Sequence, residues 1–308
     1  MKDRRKAVFF YPLSLHPYGI IHFMFELVSL QPVDYLVVGH VAEDITPTGT
    51  QLGGTVSYAA LTARALGLRV GIVTSFGEAA PIQALDGIPI VNIPAEHSTT
   101  FENVKTESGR RQTLHHQAAP ILLEHIPQVW RNAPIIHLAP IARELESSLP
   151  EKLSGSLLGI TPQGWMRAWD ENGLVNACAW DAHASEQALG HAGAVILSVE
   201  DVSRDLELIE EMAHRTRILC LTEGEAGALL HWNGDRRRFR PLVVEEVDGT
   251  GAGDIFAAAF FVRLYSTRDP WEAARFATQI AARSVTRVGL NGIPTAKEIE
   301  ESLMEVLL

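Results

Sequence analysis

The densest chemistry in the chain lies in seven residues, Asp248-Gly249-Thr250-Gly251-Ala252-Gly253-Asp254, which run directly into the helix-forming stretch from Ile255 to Leu264. A glycine-rich turn entering a helix leaves several backbone N–H groups unpaired and directed at one point, and the helix dipole adds positive potential there. Such a turn suits an anion, including a phosphoryl group in transfer. Asp254 falls in the first helical turn, beside the anion. Its carboxylate can accept the proton of an attacking hydroxyl while the amides hold the charge that develops on phosphate. The plainer alternative is a glycine-rich helix entry with an acidic cap, and three glycines with two aspartates in seven residues weigh against it. The run is not a Walker A loop, because no Gly-Lys-Ser/Thr follows, and it lies too late in the chain for a dinucleotide fingerprint.

The elements that must carry this turn alternate. Tyr35 to Val38 is a short apolar run ending in Gly39, Thr55 to Leu66 has helical spacing and ends at Gly67, and Arg69 to Ser75 reads as a second strand. Ile135 to Leu138, Leu157 to Thr161, Ala194 to Ser198 and Ile218 to Thr222 are further strand-like runs, each followed by polar or helical sequence. This order predicts an α/β protein with a mostly parallel sheet covered by helices on both faces. Ile88 to Ile93 and Ser98 to Gln117 break the pattern as extended pieces with a turn near Glu107-Ser108-Gly109, which predicts a small antiparallel flap. Ala226 to Arg240 reads as a hairpin turning at Asn233-Gly234. The C-terminal third predicts helices over Ala252 to Tyr265, Pro270 to Val288 and Thr295 to Leu308, the second opened by Asp269 and Pro270. No repeat or linker divides the chain.

Across 308 residues, 46% hydrophobic and 20% charged content is an ordinary globular balance. A formal net charge of -11 with no dominant basic stretch argues against nucleic-acid or anionic-membrane partners. Cys178 and Cys220 sit in apolar segments without metal spacing, which predicts buried thiols in a reducing cytosol and a cytoplasmic protein. Lys2 to Lys6 are basic and Val8 to Leu30 fairly apolar, but Pro12, His16, Pro17, His22 and Glu26 suit neither a spanning helix nor a signal peptide. The expectation is a disordered extension over residues 1–32, or an upstream start before Met24, with the folded core at 33–308.

Asp248 to Asp254 resembles the C-terminal motif of the ribokinase/PfkB carbohydrate kinases. Gly39-x-x-x-x-Asp44 and the helix-opening pair Gly53-Gly54 are similar to that family's sugar-binding region, and Thr222-Glu223-Gly224-Glu225-Ala226-Gly227 resembles its nucleotide-binding turn. The resemblance runs from Val33 to about Pro294. It implies a ribokinase-like three-layer fold with a small antiparallel β lid, formed from segments at about 44–52 and 88–117. It also implies an ATP- and Mg2+-dependent kinase acting on a hydroxyl of a small sugar or polyol. Asp254 would be the base, with Gly251, Ala252 and Gly253 as the anion hole. Thr222, Gly224, Gly227 and Thr250 would face the nucleotide. Asp44, Gly53, Gly54, Asn103 and Arg167 would face the substrate, with Arg111 or Arg110 as further lid contacts. Asp248, with Thr250, matches positions that hold a monovalent cation such as K+ in relatives, although Gly249 replaces the usual Thr or Ser and leaves that dependence open. Relatives also pair through their lids, which implies a homodimer.

The chain departs from the family at two places. Tyr58 stands where a sugar-contacting asparagine is usual. Ser198-Val199-Glu200-Asp201 replaces the Asn-x-x-Glu motif that organises magnesium, so Asp201, with Glu200 as a stand-in, would take that role. Gly53 to Tyr58 and Thr161-Pro162-Gln163-Gly164-Trp165-Met166-Arg167 resemble the branch that includes plant myo-inositol kinases, which favours a cyclic polyol. The competing readings are a kinase for ribose, fructose, 2-keto-3-deoxygluconate or adenosine, a non-catalytic sugar or nucleotide regulator, and a nicotinamide-dependent reductase. Metal sites at Asp181 and His183 near Cys178, or at His115-His116, lack a second cluster.

Overall fold

The computed structural model describes residues 8–10, 30–47, 49–106, 109–153 and 155–304. In chain order the first strands are β1 (Val8–Phe10), β2 (Tyr35–Val38), β3 (Ala42–Thr46) and β4 (Gly49–Gly53). Helix α1 (Thr55–Ala65), β5 (Val70–Phe76), β6 (Ile90–Pro94), and the hairpin of β7 (Thr99–Thr106) and β8 (Gly109–His116) follow. Next come β9 (Ile135–Leu138), β10 (Leu157–Ile160) and a ribbon of β11 (Arg167–Trp169) with β12 (Val175–Ala177). The chain continues through α2 (Ala182–His191), β13 (Ala194–Ser198), α3 (Leu206–Arg215), β14 (Ile218–Thr222), β15 (Ala228–Trp232) and β16 (Asp235–Phe239). It ends with α4 (Ala252–Thr267), α5 (Pro270–Ser284) and α6 (Ala296–Leu303).

Ten strands form the main sheet in the order β1-β6-β5-β2-β9-β10-β13-β14-β15-β16, parallel as far as β14 and antiparallel through the final hairpin. Successive side chains of a strand point to opposite faces. Tyr35 and Val37 therefore join the cluster under α1, α4 and α5, while Leu36 and Val38 join the cluster on the other face with α2 and α3. Asn233 and Gly234 both take positive φ, 53° and 80°, as the predicted hairpin turn requires. Asp181, Asp205 and Asp269 cap α2, α3 and α5 with their carboxylates. No helix among the described residues is long and apolar enough to cross a membrane.

A second sheet, β4-β3-β7-β8, projects as a lid, its two hairpins joined by parallel pairing of β3 with β7. Ile88 to Ile93 does not belong to it, contrary to the sequence expectation. β6 sits between β1 and β5 in the main sheet, and the crossover from β5 carries only a single 3-10 turn at Ile82–Leu85, so no helical period marks it. The turn at Glu107-Ser108 lies outside the described residues. The extension expected over residues 1–32 also falls mostly outside them, apart from β1, which pairs in parallel with β6, and Gln31, whose carbonyl accepts the Trp130 indole N–H at 2.9 Å. Cys220 is buried, and burial pushes its thiol up. Cys178 is only half-buried, with Arg143 Nη2 at 2.8 Å from Sγ, because β12 forms a surface ribbon rather than a core strand.

The centre of the sheet holds one buried polar triad. His137 on β9 is bonded to Tyr35 Oη at 2.8 Å and Thr161 Oγ1 at 3.0 Å, and desolvation lowers its pKa to about 3. In the unfolded chain the imidazole takes a proton as pH falls below about 6.5, while in the folded chain it stays neutral down to about 3. Its contribution is therefore complete above the unfolded value and is lost through that window, at up to about 1.4 kcal/mol per pH unit. Denaturant unfolding at pH 7 and pH 5 should show the wild-type protein losing about 2 kcal/mol more than His137→Gln. Equal losses would contradict this.

Candidate active site

The Asp248–Asp254 turn is anchored before it reaches its helix. Val247 and Asp248 donate their N–H groups to Val285 O at the end of α5, at 2.8 and 3.0 Å. Asp248 Oδ1 accepts from Thr250 N at 3.0 Å and Oδ2 from Gly289 N at 2.8 Å, so this carboxylate ties the turn to the loop after α5. Gly251 is the N-cap of α4 at φ 77°, and a Cβ there would lie 2.3 Å from the Tyr58 ring. Both the backbone conformation and the close approach require glycine. Ala252, Gly253 and Asp254 form the first turn, where N–H groups have no partner earlier in the helix. Ala252 N makes one long bond, 3.3 Å, to Gly249 O. Tyr58 is buried beneath the turn at 3% exposure, so it supports the turn from below as well as bordering the cleft.

Asp254 is held by a residue that sequence reasoning passed over. Thr55 Oγ1, at the first position of α1, donates to Asp254 Oδ1 at 2.8 Å across 199 residues. Its only sequence signal is its place directly after Gly53-Gly54.

One end of the site is built by the lid. Asp44 on β3 lies over Gly53, where a Cβ would come within 1.9 Å of Asp44 Oδ2. Asn103 Nδ2 donates to Asp44 Oδ1 at 3.3 Å, and Gln112 Nε2 donates to Asn103 Oδ1 at 2.9 Å, so β7 and β8 orient the β3 carboxylate. Arg167 sits 5.9 Å from the Phe101 ring centroid and donates to Ile141 O at 3.4 Å. Arg111 is exposed and does not line the cleft, and the Arg110 side chain lies outside the described residues. Beneath this end, buried Glu144 accepts His40 N at 2.9 Å, Ile141 N at 3.0 Å and Ala142 N at 2.7 Å.

On the main sheet Thr222 closes β14, Gly224 and Gly227 form the following turn, and Glu223 is paired with Arg238 through both carboxylate oxygens. Asp201 Oδ2 accepts Ser198 N at 2.9 Å and Oδ1 accepts Gln163 Nε2 at 3.4 Å, while Glu200 N donates to Ser198 Oγ at 3.2 Å. Among the described residues no group of three or more His, Cys, Asp or Glu side chains could hold a metal ion. Asp181 is a helix cap, His183 is exposed on that helix, His115 bonds Glu102, and His116 packs on His97, which accounts for the other metal candidates.

The predicted site residues other than Gly53, which lies directly under Asp44, and the lid arginines Arg110 and Arg111 line one cleft of about 1380 Å³ between lid and sheet. Residues 182–296 match the pfkB family carbohydrate kinase model, a span that contains both the Thr222–Gly227 turn and the Asp248–Asp254 turn. Over that span the chain is similar to the PfkB carbohydrate kinases. A Bacillus subtilis ribokinase is 39% identical over 100 residues, 32% of this chain and 34% of that protein. The cytidine kinase of Thermococcus kodakarensis is 26% identical across 83% of this chain and 98% of its own length. An inositol 3-kinase of Oryza sativa subsp. japonica is 25% identical over 86% of this chain and 71% of that protein. The fold is ribokinase-like. A solved pyrophosphate-dependent kinase in the ribokinase family, complexed with a pyrophosphate analog and myo-inositol, superposes with TM-score 0.69 at 20% identity, covering 87% of this chain and 100% of the other.

Proposed function

We propose that this PfkB-type protein is an ATP-dependent phosphotransferase that phosphorylates a hydroxyl of a small sugar or cyclic polyol, with a polyol of the myo-inositol kind as the favoured acceptor. The observation that carries the reading is the position of Asp254. It stands in the first turn of α4, in the same cleft as the polar acceptor end at Asp44 and Asn103 and the turn at Thr222 to Gly227. Asp44, oriented by Asn103, accepts hydrogen bonds from the acceptor's hydroxyls, and Arg167 closes the far wall. Asp254 takes the proton of the attacking hydroxyl. The hydroxyl oxygen forms a bond to the γ-phosphorus, the bond to the β,γ-bridging oxygen breaks, and ADP leaves with that electron pair. The first-turn amides of α4 receive the charge that develops on the transferred group.

Leu242, Val243 and Val244 border the donor end and are exposed, Val243 fully. An apolar rim of this kind favours a donor with a base to cover it, a nucleoside triphosphate rather than pyrophosphate. Magnesium travels with the donor polyphosphate and neutralises part of its charge. Asp201 and Glu200 border that part of the cleft and would face it, and their small number suits an ion that keeps most of its waters. Asp248 would hold a monovalent cation only through oxygens already engaged by Thr250 and Gly289 amides. The proposed setting is the cytoplasm.

An ADP-release assay with MgATP against myo-inositol, ribose, fructose, 2-keto-3-deoxygluconate, adenosine and cytidine tests the reading. Acceptor-dependent ADP formation is expected, with the highest kcat/KM for the cyclic polyol and no turnover when pyrophosphate replaces ATP. A maximum with cytidine would move the acceptor to the nucleoside class, as the full-length similarity to a cytidine kinase allows. Ligand binding with no turnover on any acceptor would make the protein a non-catalytic binder.

A further inference from the structure

Threonine and serine hydroxyls inside helices usually return their proton to the backbone one turn earlier. Thr278 to Ala274 O at 2.7 Å, Thr267 to Arg263 O at 2.8 Å and Ser302 to Glu298 O at 2.7 Å do so here. Thr55 does not. It is the first residue of α1, directly after the Gly54 N-cap, and the residue four positions before it lies in strand β4 rather than in a helix. Its hydroxyl proton goes to Asp254 Oδ1 instead, at 2.8 Å, and the residue is 3% exposed. A β-branched side chain has few χ1 choices at a helix start, so the hydroxyl is held in place without the acceptor's help.

We propose that Thr55 is a positioning residue for Asp254: its donated hydrogen bond fixes the rotation of the carboxylate and keeps it ionised for proton acceptance. A hydrogen bond to the charged form of a carboxylate favours that form, and one with a charged acceptor is stronger than a neutral one. The consequence reaches beyond one bond. Thr55 follows the Gly53-Gly54 turn beneath Asp44, and Tyr58, one helical turn on, packs its ring under Gly251. Two contacts, one polar and one apolar, therefore join the start of α1 to the start of α4. The acceptor-side turn and the base move as one body, and an acceptor that settles against Gly53-Gly54 meets a carboxylate already in register.

This proposal rests on Asp254 being the base, so the experiment pairs Thr55→Val and Thr55→Ser with Asp254→Asn in the full-length protein. Steady-state rates with MgATP and the best acceptor are measured from pH 5 to 9. Thr55→Val keeps the shape and loses the hydroxyl. Its kcat should fall about tenfold to a hundredfold, with the acceptor KM within about threefold and the acid limb of the kcat profile moved to higher pH. Thr55→Ser restores the hydroxyl and should recover most of kcat and the original acid limb. Should Thr55→Val fail to fold, Thr55→Ala carries the same expected displacement of the acid limb. An unchanged kcat and acid limb in the hydroxyl-free variant, with Asp254→Asn inactive, would overturn the role of Thr55 and leave the base in place. Full activity of Asp254→Asn would overturn both.

Discussion

Replacing Asp254 with asparagine should lower kcat by about 100- to 10,000-fold while leaving donor affinity within a few-fold of wild type. Asparagine keeps the volume and one carbonyl oxygen able to accept the Thr55 hydroxyl, so the start of α4 should fold unchanged. What it loses is the capacity to take a proton. The first-turn amides remain, and so does the residual rate they support. The check is a comparison of kcat for the two proteins alongside calorimetric titration of ATP. Loss of ATP binding together with activity would show that Asp254 serves the donor site, and retention of both would remove it from the mechanism.

The second large effect is on stability and falls on a residue outside the cleft lining. Glu144 is 2% exposed and its two oxygens accept N–H groups from His40, Ile141 and Ala142. Glu144→Ala strands three buried donors, each costing about 1–3 kcal/mol when unsatisfied. The expected loss is about 3 kcal/mol or more, which lowers Tm by about 6 °C or more in a domain of this size. The same bonds join the segment leading into β3 to the loop whose Ile141 carbonyl receives Arg167, so the acceptor KM should rise as well. Scanning calorimetry checks the first expectation and saturation kinetics the second. A Tm within 2 °C of wild type would mean that the loop re-pairs its amides elsewhere.

The sheet was legible because each buried parallel strand is a short apolar run between punctuating residues, and the glycine-rich entry to α4 because alternating glycines lead straight into a helical period. β6 was misplaced in the lid because its crossover from β5 contains only a 3-10 turn, and a strand with no neighbouring helical period cannot be assigned to a sheet by pattern. Thr55 and Asp254 lie 199 residues apart, and nothing local in either predicts their bond. Gln112 and Gln163 carry no charge, and their bonds to Asn103 and Asp201 are set by the fold rather than by anything local. Glu144 reads as a surface acid in a polar loop until the fold closes over it. The place of Tyr58 becomes clear only in the fold, where its ring packs against Gly251 and a side chain there would collide with it.

The most direct test of the account is a 31P NMR time course of the protein with MgATP and myo-inositol, repeated with the other acceptors and with Asp254→Asn. A phosphomonoester resonance should grow in step with ADP, require the acceptor, and grow at least about 100-fold more slowly in the Asp254→Asn sample. A folded, ATP-binding protein that yields no phosphomonoester with any of these acceptors would contradict it.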